Sequence, residues 1–204
     1  MVDTPPKLTF GYLKIWIGPM ASGKTTKALN EAMVKSITHS TLYISYEGSS
    51  KRDVAGGDEA NFSSHNALLK SSPTNITFVS TVLLSEVDVR NYDVIVIDEA
   101  NFYKDLYFLV KHWLKLNKYI IVVGLDGDYK QEKFGHILDL IPLCDKIKKT
   151  RAVCGMCAIE VNQSANFMGF RGVPAPFTKR NIQCDQVELI GGNDIYTSVC
   201  RRHL

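Results

Sequence analysis

The residues Gly18-Pro-Met-Ala-Ser-Gly-Lys-Thr-Thr26 directly follow the apolar run Leu13-Lys-Ile-Trp-Ile17 and carry the spacing G-x-x-x-x-G-K-T. That spacing suits a loop around phosphate. Its glycines let backbone N–H groups approach phosphate oxygens, and the start of the following helix adds its positive end. Gly18, Pro19, Met20, Ala21, Ser22 and Gly23 would form the cradle, and Lys24 would reach the β and γ phosphates of ATP. Thr25 would offer its hydroxyl to Mg²⁺, a hard cation satisfied by oxygen ligands. A second element, Val94-Ile-Val-Ile-Asp-Glu99, runs from an apolar strand into two acids. An aspartate at such a strand end, here Asp98, holds the metal's water shell opposite the loop threonine and so joins the ATP-binding set. A bare glycine turn and a solvated strand end are the bland alternatives; the two elements occurring together in strand context favour nucleotide chemistry. Glu99 then supplies a carboxylate beside the metal-bound phosphate. In a hydrolase it would polarise water, and in a kinase it would accept the proton of a substrate hydroxyl. These residues alone leave the nucleophile open.

A third constellation lies near the C-terminus. Cys154-Gly-Met-Cys157 is matched by Cys200-Arg-Arg-His203 at the same internal spacing. Each pair can span adjacent corners of a tetrahedron, so Cys154, Cys157, Cys200 and His203 would close a structural Zn²⁺ site with no open position. A redox C-x-x-C or simple buried thiols compete with this reading. A redox motif usually opens a helix after a strand, which Gly155 and its surroundings do not suggest. Cys184 is a spare that could replace His203, and Cys144 reads as packed core.

The elements that must position these groups follow from apolar patterning. Residues 13–17, 41–46, 93–97 and 119–123, with 75–79 as a weaker fifth, form short continuous runs rich in Ile, Val or Tyr. Such runs are strands covered on both faces of a parallel sheet. Between them, Ala28, Leu29, Ala32 and Met33 form one helical stripe and Leu106, Leu109, Val110 and Trp113 another. Alternating strand and helix implies an α/β parallel sheet with flanking helices. After residue 150 the texture changes to Cys, Gly, Pro and Asn without helix-length periodicity. The expected organisation is therefore a nucleotide-binding α/β domain over 1–150 and a small zinc-binding lobe over 151–204, whose segment 158–186 reads as a long structureless loop acting as a lid.

With 204 residues the chain holds one core and a small appendage, and a formal net charge of +3 suits an anionic small ligand as well as a nucleic acid. The start lacks a secretory layout and no apolar run approaches the ~20 residues of a membrane span, so a cytoplasmic protein with no membrane partner is expected. An acidic box beside a zinc lobe also fits a nucleic-acid-binding ATPase. Against that, there is room for one nucleotide core, and basic residues occur only in short runs such as Lys146-Ile-Lys-Lys149, which read as solvated faces.

Taken in order, GPMASGKTT, Asp98-Glu-Ala-Asn-Phe-Tyr103, Leu125-Asp-Gly-Asp-Tyr129 running into Lys133-Phe-Gly135, Ala152-Val-Cys-Gly-Met-Cys157, Phe177-Thr-Lys-Arg180, Val187-Glu-Leu-Ile-Gly-Gly-Asn-Asp-Ile-Tyr196 and Ser198-Val-Cys200 span nearly the whole chain. Their order and spacing resemble the type II thymidine kinases, the cellular and poxvirus-like family. The resemblance implies a P-loop fold of the RecA-like kind with a zinc lobe carrying a lasso loop. It also implies transfer of the γ-phosphoryl group of ATP to the 5′-hydroxyl of thymidine, giving dTMP for DNA synthesis, with Glu99 as general base. It further implies Phe102, Leu125, Tyr129 and Phe134 around the nucleoside, with Val187, Glu188, Leu189, Ile190, Gly191 and Tyr196 at the substrate-contacting end of the lasso. A homotetramer, feedback binding of dTTP and no nucleic-acid partner are implied likewise. A kinase of the same fold acting on deoxyuridine or deoxycytidine is a further possibility. The chain departs from the family in having Ala21 for a bulky aromatic, Asn101 for Gln and His203 for Cys, and in a longer stretch between Cys157 and Phe177. In place of the family's Asp-Thr-Arg element it has Ser50-Lys-Arg-Asp53, where Arg52 is the nearest candidate for steadying transferred charge.

Overall fold

A computed structural model describes residues 9–50, 75–162, 172–184, 189 and 195–204. Its centre is built from β1 (Tyr12–Ile17), α1 (Lys24–Ser36), β2 (Thr41–Tyr46), α2 (Glu47–Ser50), β3 (Ile76–Thr81), β4 (Val94–Ile97), α3 (Leu106–Lys115), β5 (Tyr119–Gly124) and β6 (Lys146–Lys149). The strands form one six-stranded sheet in the order β3-β2-β4-β5-β1-β6, with every neighbouring pair parallel.

Period-two alternation decides which side chain faces which layer. Leu13, Ile15 and Ile17 of β1, Leu42 and Ile44 of β2, Ile95 and Ile97 of β4 and Ile120 and Val122 of β5 share one core with Leu106, Val110 and Trp113 of α3. The intervening Trp16, Tyr43, Val94, Val96, Ile121 and Val123 share the opposite core with Ala28, Leu29 and Ala32 of α1. Both faces are thus covered, which is why these strands read as unbroken apolar runs rather than as alternating ones. Met33 and Leu109, expected on the helical stripes, sit at their half-buried margins.

β6 is a correction. Lys146-Ile-Lys-Lys149 reads as a solvated basic face, and its side chains are indeed exposed, yet its backbone pairs in register with Lys14 to Ile17 of β1 and completes the sheet edge. An edge strand exposed on both faces carries no apolar signal, and its lysines discourage further pairing.

The C-terminal segment contains β7 (Ala152–Val153), α4 (Gly155–Asn162), β8 (Pro174–Ala175), β9 (Phe177–Arg180) and β10 (Tyr196–Val199). β7 pairs antiparallel with β8, and β9 with β10. Two expectations fail here. The C-x-x-C does open a helix after a strand, so α4 removes the ground on which a redox motif was disfavoured. The segment 158–186 is also not structureless throughout, because its described parts hold the end of α4, β8 and β9. α4 escaped pattern reading because Met156 and Ile159 are exposed, leaving no buried stripe. No helix among the described residues is long and apolar enough to cross a membrane.

Candidate active site

Strand β1 runs into Gly18, whose φ of +143° and tight approach to Thr150 exclude a side chain: a Cβ there would stand 2.5 Å from the Thr150 carbonyl oxygen. Thr150 follows β6 and anchors the base of the loop, its N–H and its hydroxyl both donating to the Ile17 carbonyl, at 2.7 and 2.9 Å. The Ser22 hydroxyl donates to the Pro19 carbonyl at 2.8 Å and lies 2.7 Å from the Thr150 hydroxyl. Lys24 donates to the same Pro19 carbonyl at 2.6 Å. Burial lowers its ammonium from the ordinary 10.5 to about 8, against the pull of Asp98 and Asp126. Helix α1 starts here with Gly23 as its N-cap, no side-chain cap and no acid in its first turn. Its opening N–H groups and Lys24 therefore form a ready anion site.

Across from the loop, β4 delivers Asp98 and Glu99. Asp98 is 6% exposed, and both of its oxygens are engaged. One accepts from the Tyr43 hydroxyl at 2.8 Å and the other from the Glu99 N–H at 2.8 Å. Burial and then the Asp98 charge push the Tyr43 phenol well above its usual range, so it stays a neutral donor. Glu99 has φ +52°, a left-handed conformation costing a non-glycine residue about 1–3 kcal/mol. Such strain persists where surrounding contacts fix it, here turning the chain from β4 into the short 3₁₀ turn Ala100–Phe102.

Between these two elements lies an open cleft of about 200 Å³. Of the residues expected at the site, Met20, Ala21, Lys24, Thr25, Asp98, Glu99, Phe102, Leu125, Tyr129, Phe134, Leu189 and Tyr196 line it. Gly18, Pro19, Ser22 and Gly23 shape the loop without lining this cleft. Val187, Glu188, Ile190, Gly191 and Arg52 lie outside the described residues. The aromatics form a connected wall: Tyr46 stacks on Phe102 at 4.9 Å, and Phe102 meets Phe134 edge-on at 5.4 Å. The Tyr196 hydroxyl donates to the Leu189 carbonyl at 2.7 Å, fixing that residue at the rim.

The fourth group is the Cys/His cluster. The candidate ligand atoms of Cys154, Cys157, Cys200 and His203 all lie within 4.8 Å of one another. Tetrahedral zinc, with Zn–S near 2.3 Å and Zn–N near 2.0 Å, requires sulfurs ~3.8 Å apart and sulfur to nitrogen ~3.5 Å. Cys157 and Cys200 sulfurs are 3.7 Å apart, and His203 Nδ1 stands 3.4, 3.5 and 3.6 Å from Cys154, Cys157 and Cys200. The residues fit the ion. Burial opposes ionisation of the Cys154 thiol, but the N–H groups of Cys157 and Cys200 and the His203 ring outweigh it and bring the thiol down to about 6. His203 Nε2 faces Glu160 Oε1 of α4 at 2.9 Å. Cys184 is not one of the four grouped residues. Its carbonyl instead receives Arg180 at 2.7 Å, beside Tyr129. Cys144 is partly buried against the main core, as expected, and its thiol bonds to the Ile141 carbonyl.

The family model for thymidine kinase matches residues 11–204. This chain belongs to the thymidine kinase family. Among relatives, the thymidine kinase of sheeppox virus is 31% identical, covering 96% of this chain and 97% of its own length. That of vaccinia virus (strain Tian Tan) is 32% identical over 94% of this chain and 96% of its own. Thymidine kinase a of Arabidopsis thaliana is 35% identical over 95% of this chain and 74% of its own.

Several residues of this thymidine kinase family member carry the site without being expected there. Asn101, Gly124, Gly127, Asp128 and Thr178 also line the cleft. Asn101 Oδ1 accepts from the Leu125 N–H at 3.0 Å, while its Nδ2 is buried with no partner among the described residues. Asp128 accepts from the N–H groups of Lys130 and Glu132 at 2.8 and 3.0 Å and so shapes the turn that presents Tyr129. Arg180 is buried under Tyr129, its guanidinium 3.8 Å from the ring centre, and donates to the Tyr196 hydroxyl at 2.8 Å. Asn101, Gly127, Asp128, Thr178 and Arg180 stand inside motifs quoted above, which gave them no place in the site, and Gly124 had no signal at all.

Proposed function

We propose that this chain transfers the γ-phosphoryl group of ATP to the 5′-hydroxyl of thymidine, giving dTMP and ADP. The observation that carries the reading is one cleft, in a member of this family, that joins Lys24 and Thr25 of the phosphate loop, the Asp98–Glu99 pair and an aromatic wall. In that cleft Lys24 neutralises β- and γ-phosphate charge, and Glu99 takes the proton of the 5′-hydroxyl as its oxygen bonds to the γ-phosphorus. The bond from that phosphorus to the bridging oxygen breaks, and its electron pair leaves with ADP. Thr25 and Asp98 are the residues that would hold Mg²⁺, whose charge offsets that of the triphosphate. Phe102 and Phe134 exclude water from the nucleoside, with Leu125, Tyr129, Tyr196 and the segment 187–191 around the base. Zinc at Cys154, Cys157, Cys200 and His203 would be structural, since protein fills all four positions. The same reading includes feedback binding of dTTP, a homotetrameric assembly and a cytoplasmic location.

A panel of nucleosides with ATP and Mg²⁺ tests it. Thymidine is expected to be the preferred acceptor, and Glu99→Gln to lower kcat by about 10²–10⁴ with fold and ATP binding retained. Near-wild-type turnover of that variant would remove Glu99 as the base. Preference for deoxycytidine would replace the substrate.

A further inference from the structure

Met20 sits in the middle of the phosphate loop, and both of its backbone polar groups are held by the C-terminal hairpin. Its N–H donates to Thr178 Oγ1 at 3.1 Å, and its carbonyl accepts from Ser198 Oγ at 2.6 Å. Thr178 of β9 and Ser198 of β10 are direct cross-strand partners, so one rung of the hairpin grips one residue of the loop. Both hydroxyl residues are buried, at 5% and 8% exposure, so water competes little for these bonds.

The hairpin that supplies this grip has little apolar core of its own. Val199 and Ala175 are buried beside Cys154, Cys157 and Cys200, with Ala152 and Phe177 partly buried against them. Ser198 stands two residues before Cys200, and Thr178 follows Phe177, which packs on the cysteines. What fixes the cysteines therefore fixes the rung. Directly after Met20, Ala21 has φ +53°, a conformation that a residue with a side chain adopts only when its neighbours impose it.

We propose that Ser198 and Thr178 are positioning residues that couple the Cys/His cluster to the phosphate loop. Metal in the cluster holds the hairpin in place, the hairpin holds Met20, and metal and ATP therefore raise each other's affinity by the same factor. This rests on the reading above that the cluster takes zinc and the loop takes ATP. Ser198 is the cleaner probe, because Thr178 also lines the substrate cleft and Ser198 does not.

The test is calorimetric titration of Mg²⁺–ATP, without nucleoside, into zinc-loaded and chelator-stripped full-length chain. Zinc affinity is measured beside it by competition with a chromophoric chelator, with and without ATP. Stripping is expected to weaken ATP binding, and ATP to tighten zinc by a matching factor. Loss of one buried hydroxyl–carbonyl bond is expected to weaken ATP binding to zinc-loaded Ser198→Ala about three- to tenfold and to shrink the mutual factor, with Ser198→Thr restoring both. If stripping unfolds the hairpin, the zinc-loaded comparison of Ser198→Ala with wild type decides alone. Wild type that binds zinc and ATP independently, or Ser198→Ala with wild-type ATP affinity, overturns the coupling while leaving the site reading intact. Wild type that binds neither overturns both.

Discussion

Tyr43→Phe removes a hydrogen bond at the centre of the site. Tyr43 is fully buried, and its ring packs 5.5 Å from Phe78. Phenylalanine keeps that packing and removes only the hydroxyl that donates to Asp98 at 2.8 Å. The cost is then the loss of a charge-assisted bond to a carboxylate that stays buried, with the Glu99 N–H left on its other oxygen. Bonds to charged groups contribute about 1.5–3 kcal/mol, so the variant should lose ~2 kcal/mol of unfolding free energy. That is roughly a 30-fold change in the folding equilibrium. Urea unfolding at pH 7 reads it as a lower midpoint with an unchanged slope. A double-mutant cycle with Asp98→Ala should return a coupling above about 1 kcal/mol. The KM for Mg²⁺–ATP should rise as well, because Asp98 loses the donor that orients it. A stability loss below about 0.5 kcal/mol, or a coupling near zero, would refute the view that Tyr43 holds the carboxylate in place.

Two further outcomes concern charge and metal. Unfolded chain keeps the Lys24 proton up to 10.5 whereas folded chain releases it near 8, so Lys24 makes stability rise with pH across that window and contributes no slope below it. Lys24→Met should abolish this rise in a urea-midpoint series against pH and should also remove ATP binding; a wild-type slope in the variant would show that Lys24 is not the group responsible. Glu160→Gln replaces the carboxylate that faces His203 Nε2. Partners of this kind orient a ligating imidazole, so zinc affinity should fall about 10- to 100-fold in a chelator competition, and unchanged affinity would refute the role.

How far the site could be read from residue order depends on what constrained each residue. The phosphate loop and the Asp98–Glu99 pair were legible because phosphate and metal chemistry dictate both residue type and spacing, and β1, β2, β4 and β5 were legible because burial on both faces demands unbroken apolar runs. The cysteine cluster was legible for the same chemical reason, including its fourth corner at His203. β6 was not, since a strand exposed on both faces is chosen for its backbone alone. Neither was α4, which buries no stripe of its own. The roles of Tyr43, Thr150, Thr178, Arg180 and Ser198 were not legible, for a different reason, although the last three lie inside quoted motifs. Each is a common residue type whose role arises only when distant segments meet, as when Thr178 reaches Met20 across 158 positions.

His203 supplies a nitrogen where a fourth sulfur would otherwise complete the Cys/His cluster. Around a divalent ion, three thiolates leave a net charge of −1 (+2 − 3), against −2 (+2 − 4) for four. The exchange also withdraws one corner from thiol oxidation, because imidazole has no sulfenic or disulfide chemistry to undergo. Peroxide would thus have three thiol targets in this cluster instead of four, and the corner nearest solvent-facing Arg202 and Glu160 would be the inert one.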